Sequence, residues 1–203
     1  MLNSIRKATL ELGIIIVTRN SHSKTLFALR SCLAFIAVSF FLMQPGIAQE
    51  KLDQLLVYGD GFIFSIKEPP GWRGDTENAE KFSANVVLHE AGKPQNSFTG
   101  LIRVSLNDKT DENIAEDMAA DMREYRDQYP KVQFRELAVN HPNYKSLSKV
   151  FYQAGEFYEY VAYVNPGPKR KFLFSVSMKT GKTEANEKEL AAYKSAIQSL
   201  TLF

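Results

Sequence analysis

Cysteine is nearly absent from this 203-residue sequence, with Cys32 the only one. No disulfide framework and no cysteine-based zinc set can be built within such a chain. Tryptophan also occurs once, as Trp72, and histidine three times, as His22, His89 and His141. No histidine stands at metal-ligand spacing from another histidine or from the cysteine. An excess of one charge is lacking too. The chain holds 25 Lys and Arg against 23 Asp and Glu. Five of the cations and one of the acids lie in residues 1–48, which leaves 20 against 22 in residues 49–203. A domain so nearly neutral offers no electrostatic footprint for nucleic acid. No apolar run reaches the roughly 20 residues of a spanning helix, and there is no internal repeat or low-complexity segment.

The strongest signal present is at the start. Lys24 and Arg30 precede the apolar run from Cys32 to Met43, followed by Gln44-Pro45-Gly46-Ile47-Ala48-Gln49. A basic region, about a dozen apolar residues and a small-x-small site are the three parts of a signal peptide. Residues 1–48 are therefore expected to be a leader cleaved before Gln49, and residues 49–203 one exported domain with no membrane span after processing. The basic part is long and carries an earlier apolar patch, Leu12 to Val17. That length reads as a misassigned start codon, with translation beginning nearer residues 17–26. Cys32 opens the apolar run and does not adjoin the cleavage site, so it is badly placed for lipid attachment. The exported domain has no thiol. At about 155 residues it buries roughly 68–70% of its unfolded surface and can hold together without disulfides.

Along that domain, Gln49 to Tyr58 is polar and compatible with a helix. Phe62, Phe64 and Ile66 alternate as in a strand, which Pro69-Pro70-Gly71 ends before Trp72. Ala84–His89 and Phe98–Leu106 read as two more strands, with Phe98, Ile102, Val104 and Leu106 on one face and Arg103 and Ser105 on the other. A helix follows, capped by Thr110 or Asp111, with Ile114, Met118, Met122, Tyr125 and Tyr129 in its stripe, and Pro130 stops it. Val132–Val139, Leu147–Gln153, Phe157–Val164 and Lys171–Met178 are strand-like, with hairpin connections at 154–156 and 165–170. A last helix spans about 184–199, with Leu190, Tyr193, Ile197 and Leu200 in its stripe. The order is β-β-β-α-β-β-β-β-α. The fold class is α+β: a mainly antiparallel sheet of about six to seven strands flanked by helices. Phe62, Phe64, Phe172, Phe174 and Val176 are the expected core, packed by Met118, Met122, Ile197 and Leu200.

Chemical signatures are weak. His89-Glu90 adjoin on a strand, where neighbouring side chains point to opposite faces. His141-Pro142-Asn143 reads as a turn. Gly181-Lys182-Thr183 looks like the tail of a phosphate loop, but the upstream glycine is replaced by Val176, so Thr183 reads as a helix cap instead. Asp111, Glu112, Glu116, Asp117 and Asp121 fall on a helix and lack the alternating spacing of a calcium loop, so they read as a solvated face. No serine sits in a Gly-x-Ser-x-Gly elbow. Tyr158 and Tyr160 share one face of their strand, and Phe157 and Tyr163 share the other. Two surface features on loops suit binding: Trp72 after its turn, and the Lys169-Arg170-Lys171 loop, a contact for an acidic partner or anionic lipid.

The strand order, Phe62-x-Phe64 running into Pro69-Pro70-Gly71-Trp72, the helix after the third strand, and a closing helix ending Ser199-Leu-Thr-Leu-Phe203 together resemble the PsbP-like α/β/α sandwich proteins, over residues 58–203. The family includes photosystem II accessory proteins of the thylakoid lumen, a Ran-binding nuclear import factor and exported bacterial proteins of unknown role. The last group looks nearest. Known members of the family mostly bind other proteins and are not enzymes. The resemblance implies a non-enzymatic accessory or protein-binding domain, without a cofactor or metal, in the periplasm or outside the cell, or in the thylakoid lumen of a photosynthetic organism. A small-ligand carrier and a hydrolase built from dispersed Asp, His or Ser are the rival classes.

Overall fold

The computed structural model describes residues 54–93, 99–109 and 113–203. The expected leader, its cleavage site, Cys32 and Phe98 lie outside those residues, as do Thr110 and Asp111. Among the described residues the order is β1 (Gln54–Gly59), β2 (Phe62–Lys67), β3 (Trp72–Asp75), a 3-10 turn (Ala79–Phe82), β4 (Val86–Glu90), β5 (Leu101–Asp108), α1 (Ile114–Gln128), β6 (Gln133–Glu136), β7 (Lys145–Gln153), β8 (Phe157–Asn165), β9 (Phe172–Gly181), α2 (Glu187–Ser199) and β10 (Thr201–Leu202).

Two antiparallel sheets result. The larger has seven strands in the order β3-β4-β5-β9-β8-β7-β6, and the smaller has three in the order β1-β2-β10. The larger is two meanders, β3-β4-β5 and β6-β7-β8-β9, joined where β5 pairs with β9. Helix α1 connects the meanders and packs on β7 and β8. Helix α2 leaves β9, packs on β2 and delivers β10 to the small sheet. The protein is α+β, with antiparallel strands and helices on both sides.

Alternation decides which side chains enter the core. Phe64, Ile66, Phe174, Val176 and Met178 are wholly buried, together with Tyr193 and Ile197 of α2 and Leu200 just beyond it. Phe64 meets Phe174 edge-on at 5.3 Å between ring centroids. On the opposite face Met118 is buried against Phe151, Phe157 and Val161, while Met122, Tyr125 and Tyr129 are half-buried beside them. The tyrosine rows divide as their spacing requires. Tyr158 and Tyr160 pack on the α2 side, and Phe157 and Tyr163 on the α1 side.

Several expectations need correction. Residues 54–59 form strand β1, not helix: Leu55 and Val57 turn inward while Leu56 and Tyr58 turn outward, and an edge strand tolerates their polar neighbours. Seven strands do fill the large sheet, but Phe62–Lys67 belongs to the small one, and β3 takes the place expected for it. Strands β1, β3 and β10 are additional, so the order is β-β-β-β-β-α-β-β-β-β-α-β. Phe62 and Phe172 are half-buried because they sit at the sheet's end, edge to face at 5.5 Å.

The helix caps also differ. Asn113 caps α1, accepting from the Ala115 amide at 3.2 Å. Asn186, not Thr183, caps α2 through a capping box: its side chain accepts from the Lys188 and Glu189 amides, and Glu189 accepts from the Asn186 amide at 2.9 Å. Thr183 lies upstream of that cap, where its carbonyl accepts from the Thr180 hydroxyl at 2.7 Å.

Candidate functional site

Pro69-Pro70-Gly71-Trp72 is a closed turn. The Trp72 amide donates to the Pro69 carbonyl at 2.9 Å, and Gly71 has φ +80°. Proline before a left-handed glycine is the composition of a type II turn. Glu68 braces it, accepting from the Gly74 amide at 2.8 Å and from Arg73 Nη1 at 3.1 Å. Trp72 was expected as a surface feature on a loop. It is instead 6% exposed, on strand β3 and packed in the main core. The indole is large enough to gain more by burial than a turn position can offer in water. Its rim still faces two hollows. One, of about 510 Å³, runs between the turn and Leu55, Lys67 and Ala91. The other, of about 830 Å³, runs between the turn and α2, over Ala191, Ala192 and Ser195. Glu90, Lys93, Lys188 and Glu189 stand along the second. The second hollow thus has an apolar floor and a charged rim.

The basic loop lies elsewhere. Lys169, Arg170 and Lys171 are exposed on the β8–β9 hairpin. Arg170 Nη1 donates to the Phe203 carbonyl at 3.0 Å, and Lys171 Nζ sits 4.6 Å from the Phe172 ring centroid. The structure therefore does not bring Trp72 and the basic loop together. They belong to different hollows.

A third constellation escaped the sequence. On the α1 face, β5 and β9 lay Arg103 beside Ser177 and Ser105 beside Ser175. Glu159 of β8 is buried next to them, 3% exposed. It accepts from Arg103 Nη2 and from the Tyr125 hydroxyl, each at 2.7 Å. Asp121 accepts from the Tyr163 hydroxyl at 2.6 Å. These groups line a cleft of about 180 Å³. Burial, then the Glu159 charge, pushes the Tyr125 phenol well up; burial, then the bond to Asp121, does the same to Tyr163. Burial also raises Asp121. Both phenols are thus donors at neutral pH and not bases, and each spends its proton on a carboxylate. The arrangement ties α1 to the sheet. The available signal was Arg103 itself: a cation at a strand position in a covered sheet needs a buried partner.

Neither histidine lines this cleft. His89 Nδ1 lies 3.2 Å from the Glu90 carbonyl. His141 is not merely a turn residue. It is buried, stacked on Tyr144 at 4.3 Å, and held from both nitrogens. Nδ1 accepts from the Asn143 and Tyr144 amides at 3.1 and 3.0 Å, so Nε2 carries the proton and donates to the Leu200 carbonyl at 2.9 Å. That network ties the loop before β7 to the end of α2, and burial lowers the His141 pKa. Among the described residues no three His, Cys, Asp or Glu side chains gather as a metal site.

No family model matches the chain, and no curated protein matches it. The structure is similar to the solution structure of cyanobacterial PsbP (CyanoP) from Synechocystis sp. PCC 6803, with a TM-score of 0.43 and 12% identity over 69% of this chain and 86% of that one.

Proposed function

We propose that this is an exported domain that works by binding a protein partner in the cell envelope, through the groove beside the Pro69–Trp72 turn. The observation that carries the reading is the 830 Å³ groove between the turn and α2. Its lining follows α2 from the Asn186 cap to Ser195, a run that a segment of polypeptide can track. Its floor is Trp72 and helix alanines, and its rim alternates Glu90 with Lys93 and Lys188 with Glu189. A braced turn and a capped helix form the walls, so little order is lost on binding. Export rests on the leader pattern of residues 1–48.

The α1-face cleft favours a second reading, a small polar ligand or a hydrolytic centre, because polar groups converge there. Against it, Arg103, Tyr125 and Glu159 are bonded to one another, as Asp121 and Tyr163 are, and neither histidine lines the cleft.

A photo-reactive residue placed at Ala191, which is exposed in the groove, tests the proposal in whole cells. One discrete protein adduct is expected from position 191 and none from Arg123, an exposed site on α1. Adducts from both positions alike, or from neither, reject the groove as the binding site.

A further inference from the structure

The described residues include four large apolar side chains that remain exposed: Leu56, Tyr58, Ile63 and Phe203, at 40%, 68%, 40% and 59%. All four sit on the small sheet or its continuation. Tyr58 pairs with Ile63 across β1 and β2, and the Phe203 amide donates to the Ile63 carbonyl at 3.0 Å. Tyr58, Ile63 and Phe203 therefore form one cross-strand row, with Leu56 in the row beside it. Isolated exposed apolar residues are ordinary, but a contiguous row is a contact surface.

This row ends against the basic loop. Arg170 binds the Phe203 carbonyl, and Gly61, Phe62, Lys169, Lys171 and Phe203 share one hollow of about 170 Å³. Lys109 reaches the same hairpin, its Nζ donating to the Gly167 carbonyl at 2.6 Å. Lys145 faces Asn165 across the β7–β8 ladder. At this end of the molecule the described residues thus place five cations, Lys109, Lys145, Lys169, Arg170 and Lys171. Among the described residues, Asp60 in the β1–β2 turn and Asp108, which pairs with Phe172, are acids at the same end. The domain as a whole carries no such excess, with 20 cations against 22 acids in residues 49–203.

We infer that this end of the domain docks on an anionic lipid bilayer, with Tyr58, Ile63 and Phe203 entering the headgroup layer and the hairpin cations meeting lipid phosphates. The combination selects this occupant. A protein interface excludes lysine from its apolar centre, whereas aromatic side chains bordered by Lys and Arg are what a headgroup layer accommodates. Neither half suffices alone, since stable attachment takes two signals, an apolar insertion together with a basic patch. Each cation near an anionic surface is worth about fivefold in partition. The surface is distinct from the groove beside Trp72, so partner capture and lipid docking can occur together.

Vesicle co-sedimentation of the purified protein tests the inference, using phosphatidylcholine alone and phosphatidylcholine mixed with phosphatidylglycerol. Three forms are compared: wild type, Lys169→Glu/Lys171→Glu and Tyr58→Ser/Phe203→Ser, all with unchanged melting temperature because the altered side chains are exposed. Wild type is expected to prefer the anionic vesicles by at least tenfold, and each double variant to lose at least tenfold of that partition. Binding independent of phosphatidylglycerol, or partition untouched by both variants, overturns the inference. Loss of a protein adduct in the variants with vesicle partition unchanged also overturns it, and assigns the patch to a protein.

Discussion

The two faces of the seven-stranded sheet are built differently. Under α2 and the small sheet the packing is apolar almost throughout, from Phe64 and Ile66 through Phe174 and Val176 to Tyr193 and Ile197. Under α1 only half of the face is apolar, around Met118, Phe151, Phe157 and Val161. The other half is the ion pair of Arg103 and Glu159, the tyrosines bonded to Glu159 and Asp121, and a floor of serines. The first face holds the fold by area removed from water, which is insensitive to direction. The second holds α1 by a few directed bonds, which fix its placement with little apolar area. The α1 face should therefore open first, although it carries the denser chemistry.

The largest expected effect lies on the apolar face. Phe174→Ala removes a wholly buried ring and should destabilise the domain by about 3–5 kcal/mol in a denaturant melt. A loss below about 1 kcal/mol would show that this face does not dominate. Glu159→Ala comes next. It leaves Arg103 and the Tyr125 hydroxyl without their carboxylate, at about 3 kcal/mol, the lower end for breaking a buried pair because Arg103 keeps some solvent contact. Hydrogen exchange should show α1 losing protection in that variant while α2 keeps it; equal loss in both helices would erase the contrast between the faces.

A smaller effect tests the seam between the β7 approach and α2. The His141 pKa is lowered in the folded state from 6.5, chiefly by burial. The folded protein thus prefers neutral imidazole. Its contribution to stability is complete above the unfolded value and declines as pH falls through the folded one. Protonation of Nδ1 would set a proton against two backbone amides. The melting temperature should fall below about pH 6.5, and His141→Phe should flatten that dependence while lowering stability at pH 8. An unchanged pH profile in His141→Phe would remove the histidine from the seam. Smallest is Asn186→Ala, which takes away the α2 cap and should reduce stability by about 1 kcal/mol without altering hydrogen exchange in α1.

The alternation of Phe62, Phe64 and Ile66, the stripe from Ile114 to Tyr129 and the proline-bounded hairpins were enough to read the fold class and both helix faces. The sheets' division was not legible, because it depends on Leu202 returning to pair with Phe64, a contact between the two ends of the domain that local periodicity cannot encode. Strand β1 was hidden for a related reason: an edge strand needs only Leu55 and Val57 inside, and two inward residues make a short pattern. Trp72 and the basic loop were visible as residue types, but their separation is tertiary. The cleft was invisible because its members come from β5, α1, β8 and β9, each bland in its own segment. His141 was half legible; the turn was clear, and the lock on Leu200 required the fold.

The proposed division of labour, recognition beside Trp72 and attachment of α1 under the cleft, is tested most directly by the affinity of the partner trapped at position 191. Wild type, Ala191→Arg in the groove and Ser175→Ala/Ser177→Ala in the cleft should be compared by calorimetry. Ala191→Arg should weaken binding at least tenfold, which is about 1.4 kcal/mol, and the serine variant should bind as wild type does. Normal binding by Ala191→Arg with binding lost in the serine variant would instead place recognition in the cleft.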